Sequence, residues 1–319
     1  MSKDMLIALC GGALSGLISL ALVMGFPGAM LAVYLTPLPL FLIGFAFGAN
    51  SGTVAGGAGI ITAGFFGGVL SGLLFALIYA LPVWLVVRLA LTHWQTTDKS
   101  GDVKEEWVPT GAVLGMLAIF AATLLVMAYL LGLGQEGGLQ GTIHSILEKI
   151  FTYLMPSLQD SERANLLGGF ALLFPGYLGM SWVVMTIVNA TIALAVLNRM
   201  KASARPTPRI SGLTLPDRAS WLLIGTASLT LIGSVSGHGD WEYIGRNLVM
   251  ISALPFFFLG LAVVHDLARV TPYPGVMLAS FYIFLLISGW IALIIIAAGL
   301  MEQWYGIRRL FKASDQSQV

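Results

Sequence analysis

The sequence predicts an all-α, polytopic transmembrane helical bundle with eight or nine spans plus interfacial amphipathic helices. Three observations carry that reading. Hydrophobic residues make up 57% of the 319 and the mean hydropathy is +0.89. Only 16 basic and 15 acidic side chains are present, about one residue in ten where soluble domains average roughly one in four. From Met5 to Val87 the chain carries no Asp, Glu, Lys, Arg or His, a run of 83 residues. A chain of this composition cannot cover itself with polar groups in water. That excludes a soluble enzyme, a secreted disulfide scaffold and a disordered protein. A net charge of +1 with no basic stripe excludes nucleic acid as a partner. Cys10 is the only cysteine, so no intrachain disulfide forms.

A helix needs about 20 apolar residues to cross the hydrocarbon core. The segments that meet this are 5–25, 29–48, 51–67, 69–91, 110–133, 176–198, 220–236, 244–267 and 276–300. The first is longer than a signal-peptide core and has no small-x-small cleavage site before Pro27, so it reads as a membrane helix. No charge separates the third from the fourth, and Gly67-Gly68 is the expected turn. The chain reads as one integral membrane domain over 1–319. It comprises a charge-free, glycine-rich four-helix unit at 5–91, a polar loop at 92–109 and the remaining spans over 110–319. Within 134–163, Leu139, Ile143, Ile146, Leu147, Ile150, Phe151 and Leu154 recur at helical spacing, while His144, Glu148 and Lys149 fall largely elsewhere. This predicts an amphipathic helix in the interface over about 139–155, ended by Pro156 and Asp160. Leu166–Phe174 is apolar but short, and Pro175-Gly176 is expected to break it from the next span as a re-entrant or half-buried piece.

Lysine and arginine set orientation. The 199–219 connection holds Arg199, Lys201, Arg205, Arg209 and Arg218 against Asp217, which places it in the cytoplasm. The 92–109 connection, with Lys99, Lys104 and the preceding Arg88, falls on the same side two crossings earlier. Nine crossings then put the tail outside, against the preference of Arg308, Arg309 and Lys312; either one apolar segment does not fully cross, or the stronger 199–219 signal prevails. An integral membrane location with the 199–219 loop in the cytoplasm follows from this reading.

Small residues recur four apart at Ala8, Gly12 and Gly16, at Gly52 and Gly56, and at Gly64, Gly68 and Gly72. Such faces let another backbone approach closely. They serve packing within the bundle, or, for Ala8, Gly12 and Gly16, docking of a partner membrane protein. Thr36-Pro37-Leu38-Pro39 sits inside the second span. Prolines leave carbonyls without donors, which lipid tolerates only where protein or a water-filled cavity satisfies them. Broken helices therefore either mark a kink or line a solute site. Pro37, Pro39, Tyr34, Asn50, Asn189 and Asn247 are the candidate cavity-lining residues. Asn189 and Asn247 also suit bridging between helices. His265 and Asp266 are candidates for a polar or proton-linked role, against a structural one in which Asp266 pairs with Arg269 three residues on.

In the tail, Leu300, Trp304, Ile307 and Phe311 share a face, with Arg308, Arg309 and Lys312 mostly off it. Trp304, Arg308 and Arg309 are expected to anchor a surface helix at the headgroups. The chain holds no G-x-x-x-x-G-K-[ST] phosphate loop, no H-E-x-x-H and no G-x-S-x-G elbow. Its four histidines are scattered, so neither a metal nor a cofactor is signalled. No catalytic motif points to an enzyme.

Five stretches, PLPLFLIGFAFG at 37–48, EWVPTG at 106–111, RPTPRISGLTLP at 205–216, LPFFFLGLAVVH at 254–265 and GLMEQWYGIRR at 299–309, together resemble the YybS-like family of bacterial polytopic membrane proteins, a domain of unknown function. The amino-terminal half is similar to the substrate-capture subunits of energy-coupling-factor transporters, which share a small-residue first helix, here Ala8, Gly12 and Gly16. That resemblance implies a small-solute binding or transport component with no ATPase of its own. The departure is length, since capture subunits have about six spans by the 20-residue criterion and this chain has more. The alternative expectation is a non-catalytic membrane scaffold for envelope or division machinery.

Overall fold

The computed structural model describes residues 2–21, 25, 28–97, 103–157, 159–206 and 212–309. Pro27, Lys99, Arg209, Phe311 and Lys312, which entered the targeting, orientation and tail readings, lie outside the described residues. The chain divides into two compact units. One is 1–113 with 183–209, and the other is 114–182 with 210–319.

The first unit opens with α1, Lys3–Ser19, capped by Ser2, whose Oγ accepts the Met5 N–H at 3.3 Å. Then come α2, Ala29–Tyr34, and α3, Pro37–Phe47, separated where Pro37 and Pro39 interrupt the ladder. α4 is Ala49–Gly67. α5, Val69–Phe75, runs through a π-helical turn at Ala76–Ala80 into α6, Leu81–Ala90. Gly48 at φ +89° and Gly68 at φ +85° end α3 and α4 in a conformation that a side chain disfavours, so the turn falls where Gly67-Gly68 predicted it.

The close approaches in this unit come from the small-residue faces. Ala8, Gly12 and Gly16 are buried against α4. A Cβ at Gly12 would run into the Ala55 carbonyl, and one at Gly16 would lie 2.6 Å from the Gly59 oxygen. α5 folds back on α4 with Gly72 against Gly64, where an added Cβ would come within 3.0 Å of the Gly64 Cα. Lipid tails supply no hydrophobic drive between helices, so backbone-to-backbone van der Waals contact holds this unit together. The Ala8–Gly12–Gly16 face is thus filled by the chain's own α4, not open to a partner protein.

Within the expected polar loop at 92–109 there is an antiparallel hairpin. β1, His93–Thr97, pairs with β2, Val103–Trp107, with His93 opposite Trp107. Trp94 donates to Glu106 at 3.0 Å, and the His93 and Trp107 rings lie 4.6 Å apart.

α7 is Thr110–Gly132, α8 Gly138–Leu154, α9 Asp160–Arg199, α10 Ala219–Ser236, α11 Gly239–Arg269, α12 Pro274–Ile287 and α13 Ile291–Tyr305. In the second unit α11 packs between α10 and α13. Gly245 meets Thr230, and Thr226 and Ser252 share a hydrogen bond of 2.9 Å across α10 and α11. On its other face, Gly260 lies against the Ile295 carbonyl and Gly299 against the Phe256 carbonyl. The inner edge of the α8 stripe, Ile143, Leu147 and Phe151, packs on Leu167, Ala171 and Phe174 of α9. Ile146, Ile150 and Leu154 stay exposed along its outer edge.

The all-α membrane bundle stands, with a corrected number of crossings. Among the described residues six segments are long and apolar enough to span: Ala29–Phe47, Val69–Ala90, Thr110–Gly132, Ser161–Arg199, Ala219–Ser236 and Gly239–Arg269. Three expected spans drop out for separate reasons. α1 has 17 residues, about 26 Å at 1.5 Å per residue, short of a core of about 30 Å. α4 has the length, but its glycines, with Asn50, Ser51, Thr53 and Thr62, lower its hydropathy. The expected span 276–300 is split at 288–290 into α12 and α13. A second correction concerns Pro175, which does not break α9; the helix runs through it.

Gly12→Leu is expected to destabilise the fold by about 1–3 kcal/mol, because α1 and α4 must separate. Gly57→Leu on α4, where an added side chain enters open space, is expected to leave stability unchanged or raise it by up to about 1 kcal/mol. Unfolding in detergent micelles, followed by circular dichroism, measures both.

Candidate functional site

The candidate polar residues do not line one cavity. Asn189 belongs to the first unit and Asn247 to the second, and each is spent on the backbone of a proline-disturbed helix. In the first unit the interruption between α2 and α3 frees the Tyr34 and Thr36 carbonyls. Asn189, fully buried, donates through Nδ2 to the Tyr34 oxygen at 2.8 Å and to the Met185 oxygen at 2.8 Å. Ser15, also fully buried, donates to the Thr36 oxygen at 2.6 Å. Pro37 is buried beside them and Pro39 half-buried. Asn189 Oδ1 receives no donor among the described residues.

The second unit repeats the device more completely. Pro175 has no N–H, so the Ala171 carbonyl four residues earlier loses its donor. The Tyr243 hydroxyl supplies one at 3.1 Å. One residue on, the Asn247 amide is spliced into the helix ladder. Its Oδ1 accepts the Gly176 N–H at 2.7 Å, and its Nδ2 donates to the Leu172 carbonyl at 3.1 Å as well as to the Tyr243 carbonyl at 2.8 Å. Gly176 gives the amide access, since a Cβ there would sit 3.0 Å from Asn247 Oδ1. This is why α9 stays continuous. Asn50, the remaining candidate, is exposed at the start of α4.

His265 is half-buried, with Nδ1 at 2.9 Å from the Leu261 oxygen and Nε2 at 3.4 Å from the Tyr282 hydroxyl. Asp266 faces Arg269 at 3.6 Å, as the spacing predicted, and Arg308 at 3.7 Å. Arg308 also binds Glu302 at 2.8 Å and donates to the Leu213 carbonyl at 2.8 Å. Its side chain is 11% exposed. Arg308 is therefore an internal tie between the tail, α11 and the 213–215 segment, not a headgroup anchor. Trp304 and Arg309 are exposed, as anchors require. Arg308, Glu302, Gln303 and Asp217 border a polar recess of about 280 Å³.

Arg205 was legible only as one charge in a basic loop. It is 7% exposed and forks across two carbonyls, Ala90 at 2.9 Å and Val108 at 3.0 Å, with its guanidinium 5.7 Å from the centre of the Trp107 ring. Ala90 is the last residue of α6, where carbonyls lack helical donors and a cation suits the helix dipole. Burial lowers the guanidinium pKa below its ordinary value.

The described residues also form a groove that the sequence did not signal. It has a volume of about 650 Å³ and runs between α4 and the α5–π–α6 segment. Gly52, Gly56 and Gly57 thin one wall; Leu73, Leu77 and Trp84 form the other. Its lining is almost wholly apolar, and Leu73 and Leu81 at its lip are exposed. The π turn at Ala76–Ala80 lies on this wall, and such turns cluster at functional positions. Arg88, one turn beyond Trp84, stacks on the Trp84 ring at 5.3 Å from its centre.

Residues 13–302 match the family described as "Predicted membrane protein (DUF2232)", and the chain belongs to that family. No curated protein and no solved structure matches the chain.

Two substitutions test the splice. Asn247→Ala is expected to cost about 1–2 kcal/mol and Tyr243→Phe about 1 kcal/mol, the upper range for polar contacts between membrane helices. Denaturant titration in micelles reads both; unchanged stability would mean the backbone groups find other partners. Arg205→Lys keeps the charge but loses the fork, and is expected to speed amide hydrogen exchange in β1 and β2 while leaving α1 and α4 protected.

Proposed function

We propose that this member of the DUF2232 family is a membrane-embedded binding component for a small apolar or amphiphilic molecule, acting in transport or sequestration without an ATPase of its own. The observation that carries the reading is the groove between α4 and α5–α6. Its volume of about 650 Å³ is that of a small-molecule pocket, and it opens sideways where Leu73 and Leu81 are exposed at membrane depth. Asn189 and Asn247 are engaged with backbone, so a water-soluble solute would find few free polar groups. The ligand class shifts accordingly to a molecule dissolved in the bilayer.

The missing phosphate loop agrees with a binder that has no motor, as in the energy-coupling-factor capture subunits that the amino-terminal half resembles. A coupling partner would have to dock elsewhere than on Ala8, Gly12 and Gly16, which α4 covers. The excess of Lys and Arg in 199–219 supports a bacterial inner-membrane protein with that loop in the cytoplasm. The lack of a catalytic motif supports a protein that is not an enzyme. A non-catalytic scaffold for envelope or division machinery is the second reading, favoured by the use of both buried asparagines in packing.

Native mass spectrometry of the gently solubilised protein separates the two. The expected result is a small amphiphile retained by the wild type and lost in Gly57→Leu, which fills the groove. A stable protein partner with no retained small molecule would favour the scaffold instead.

A further inference from the structure

We infer that the groove between α4 and α5–α6 selects an anionic phospholipid from the surrounding leaflet, with an acyl chain along the groove and the headgroup at Arg88. This rests on the binding function proposed above and names its ligand.

Three observations meet at that end of the groove. The lining runs from Leu73 to Trp84, roughly 16 Å of helix at 1.5 Å per residue. That is about half of a hydrocarbon core near 30 Å, or one leaflet. A groove of that length, open at the side, matches a chain entering from the bilayer rather than from water. Trp84 closes the groove, and tryptophan favours the headgroup level. Arg88 lies one turn further, exposed, with its guanidinium over the Trp84 ring at 5.3 Å. It pairs with no carboxylate among the described residues. Its planar fork therefore keeps donors for a phosphate oxygen.

Charge complementarity decides the headgroup. From Met5 to Val87 there is no acidic or basic side chain, so within the charge-free run the groove walls hold nothing to repel an anion and nothing to attract an ammonium. Arg88 is the first ionised group after that run. A zwitterionic headgroup would bring its own cation toward the guanidinium, whereas an anionic glycerol headgroup would not.

The test uses the full-length protein in nanodiscs that contain phosphatidylglycerol and phosphatidylcholine with identical chains, and native mass spectrometry of the lipid retained on release. The wild type is expected to retain phosphatidylglycerol about fivefold over phosphatidylcholine, the factor expected for one basic residue near an anionic headgroup. Arg88→Gln should bring the ratio to about one while lipid is still retained, and Arg88→Lys should keep part of the preference. Gly57→Leu should abolish retention of both lipids, with Leu73→Trp on the opposite wall as an independent block. Equal retention by the wild type, or an unchanged preference in Arg88→Gln, overturns the headgroup assignment but leaves groove binding standing. Retention that survives both blocking variants overturns the binding function and this inference together.

Discussion

At bilayer depth no water is available for a free carbonyl or amide, and among the prolines that disturb the spanning helices two sites are closed by side chains from distant segments. At Tyr34–Thr36 the ladder opens ahead of Pro37 and Pro39, and at Ala171–Gly176 it opens around Pro175. The groups that close these openings come from far along the chain. Asn189 is 155 residues from Tyr34, and Asn247 is 71 from Gly176. Each amide thus repairs a backbone and fixes one helix against another. A side chain that only packed could slide by a turn at little cost. The Asn247 amide, whose oxygen and nitrogen are both engaged in the α9 ladder, cannot.

Glycine has two uses in the first unit, and added side chains tell them apart. Gly12, Gly16 and Gly72 lie where any Cβ would strike backbone, so their smallness is consumed by contact. Gly57 meets nothing within 4 Å, and Gly56 reaches only the Ala80 Cβ at 3.5 Å. Contact does not explain the smallness of these two residues. They face the groove, where it creates space. The π turn on the opposite wall changes helical register locally, so both walls depart from a plain packed helix at the same level.

Composition made the helical membrane fold legible, because 83 residues without a charge leave a soluble fold no surface. The turn at Gly68 and the interruption at Pro37 were legible for local reasons: glycine past a helix end and proline inside a span. The number of crossings was not. Hydropathy counts apolar residues without seeing where α1 stops or that residues 288–290 divide α12 from α13. The continuity of α9 was hidden for a different reason. Pro175 reads as a break unless Tyr243 and Asn247 are known to lie beside it, and nothing in local sequence shows that. Arg308 was misjudged likewise, since its partners Asp266, Glu302 and Leu213 come together only in the fold. The hairpin at 93–107 was masked by its polar residues, although the aromatics at Trp94 and Trp107 were a signal for strands.

The same scarcity of charge that identified the environment also gives weight to single residues. In a soluble domain an exposed arginine is one of many, and solvent and counter-ions screen it over about 10 Å. Arg88 stands just past Trp84 at the end of an apolar groove, directly after 83 residues without a charge, where the effective dielectric is lower and its field reaches further. Arg205, close by in sequence to neither, is withdrawn into carbonyls and an indole ring and offers its donors to the protein itself. Two arginines of one unit are therefore differently placed: Arg205 bridges Ala90 and Val108, tying the hairpin to α6, while Arg88 lies over the Trp84 ring. Asn189, the buried asparagine of this unit, is committed to backbone through its Nδ2, so the proposed binding rests on the apolar walls of the groove and on Arg88.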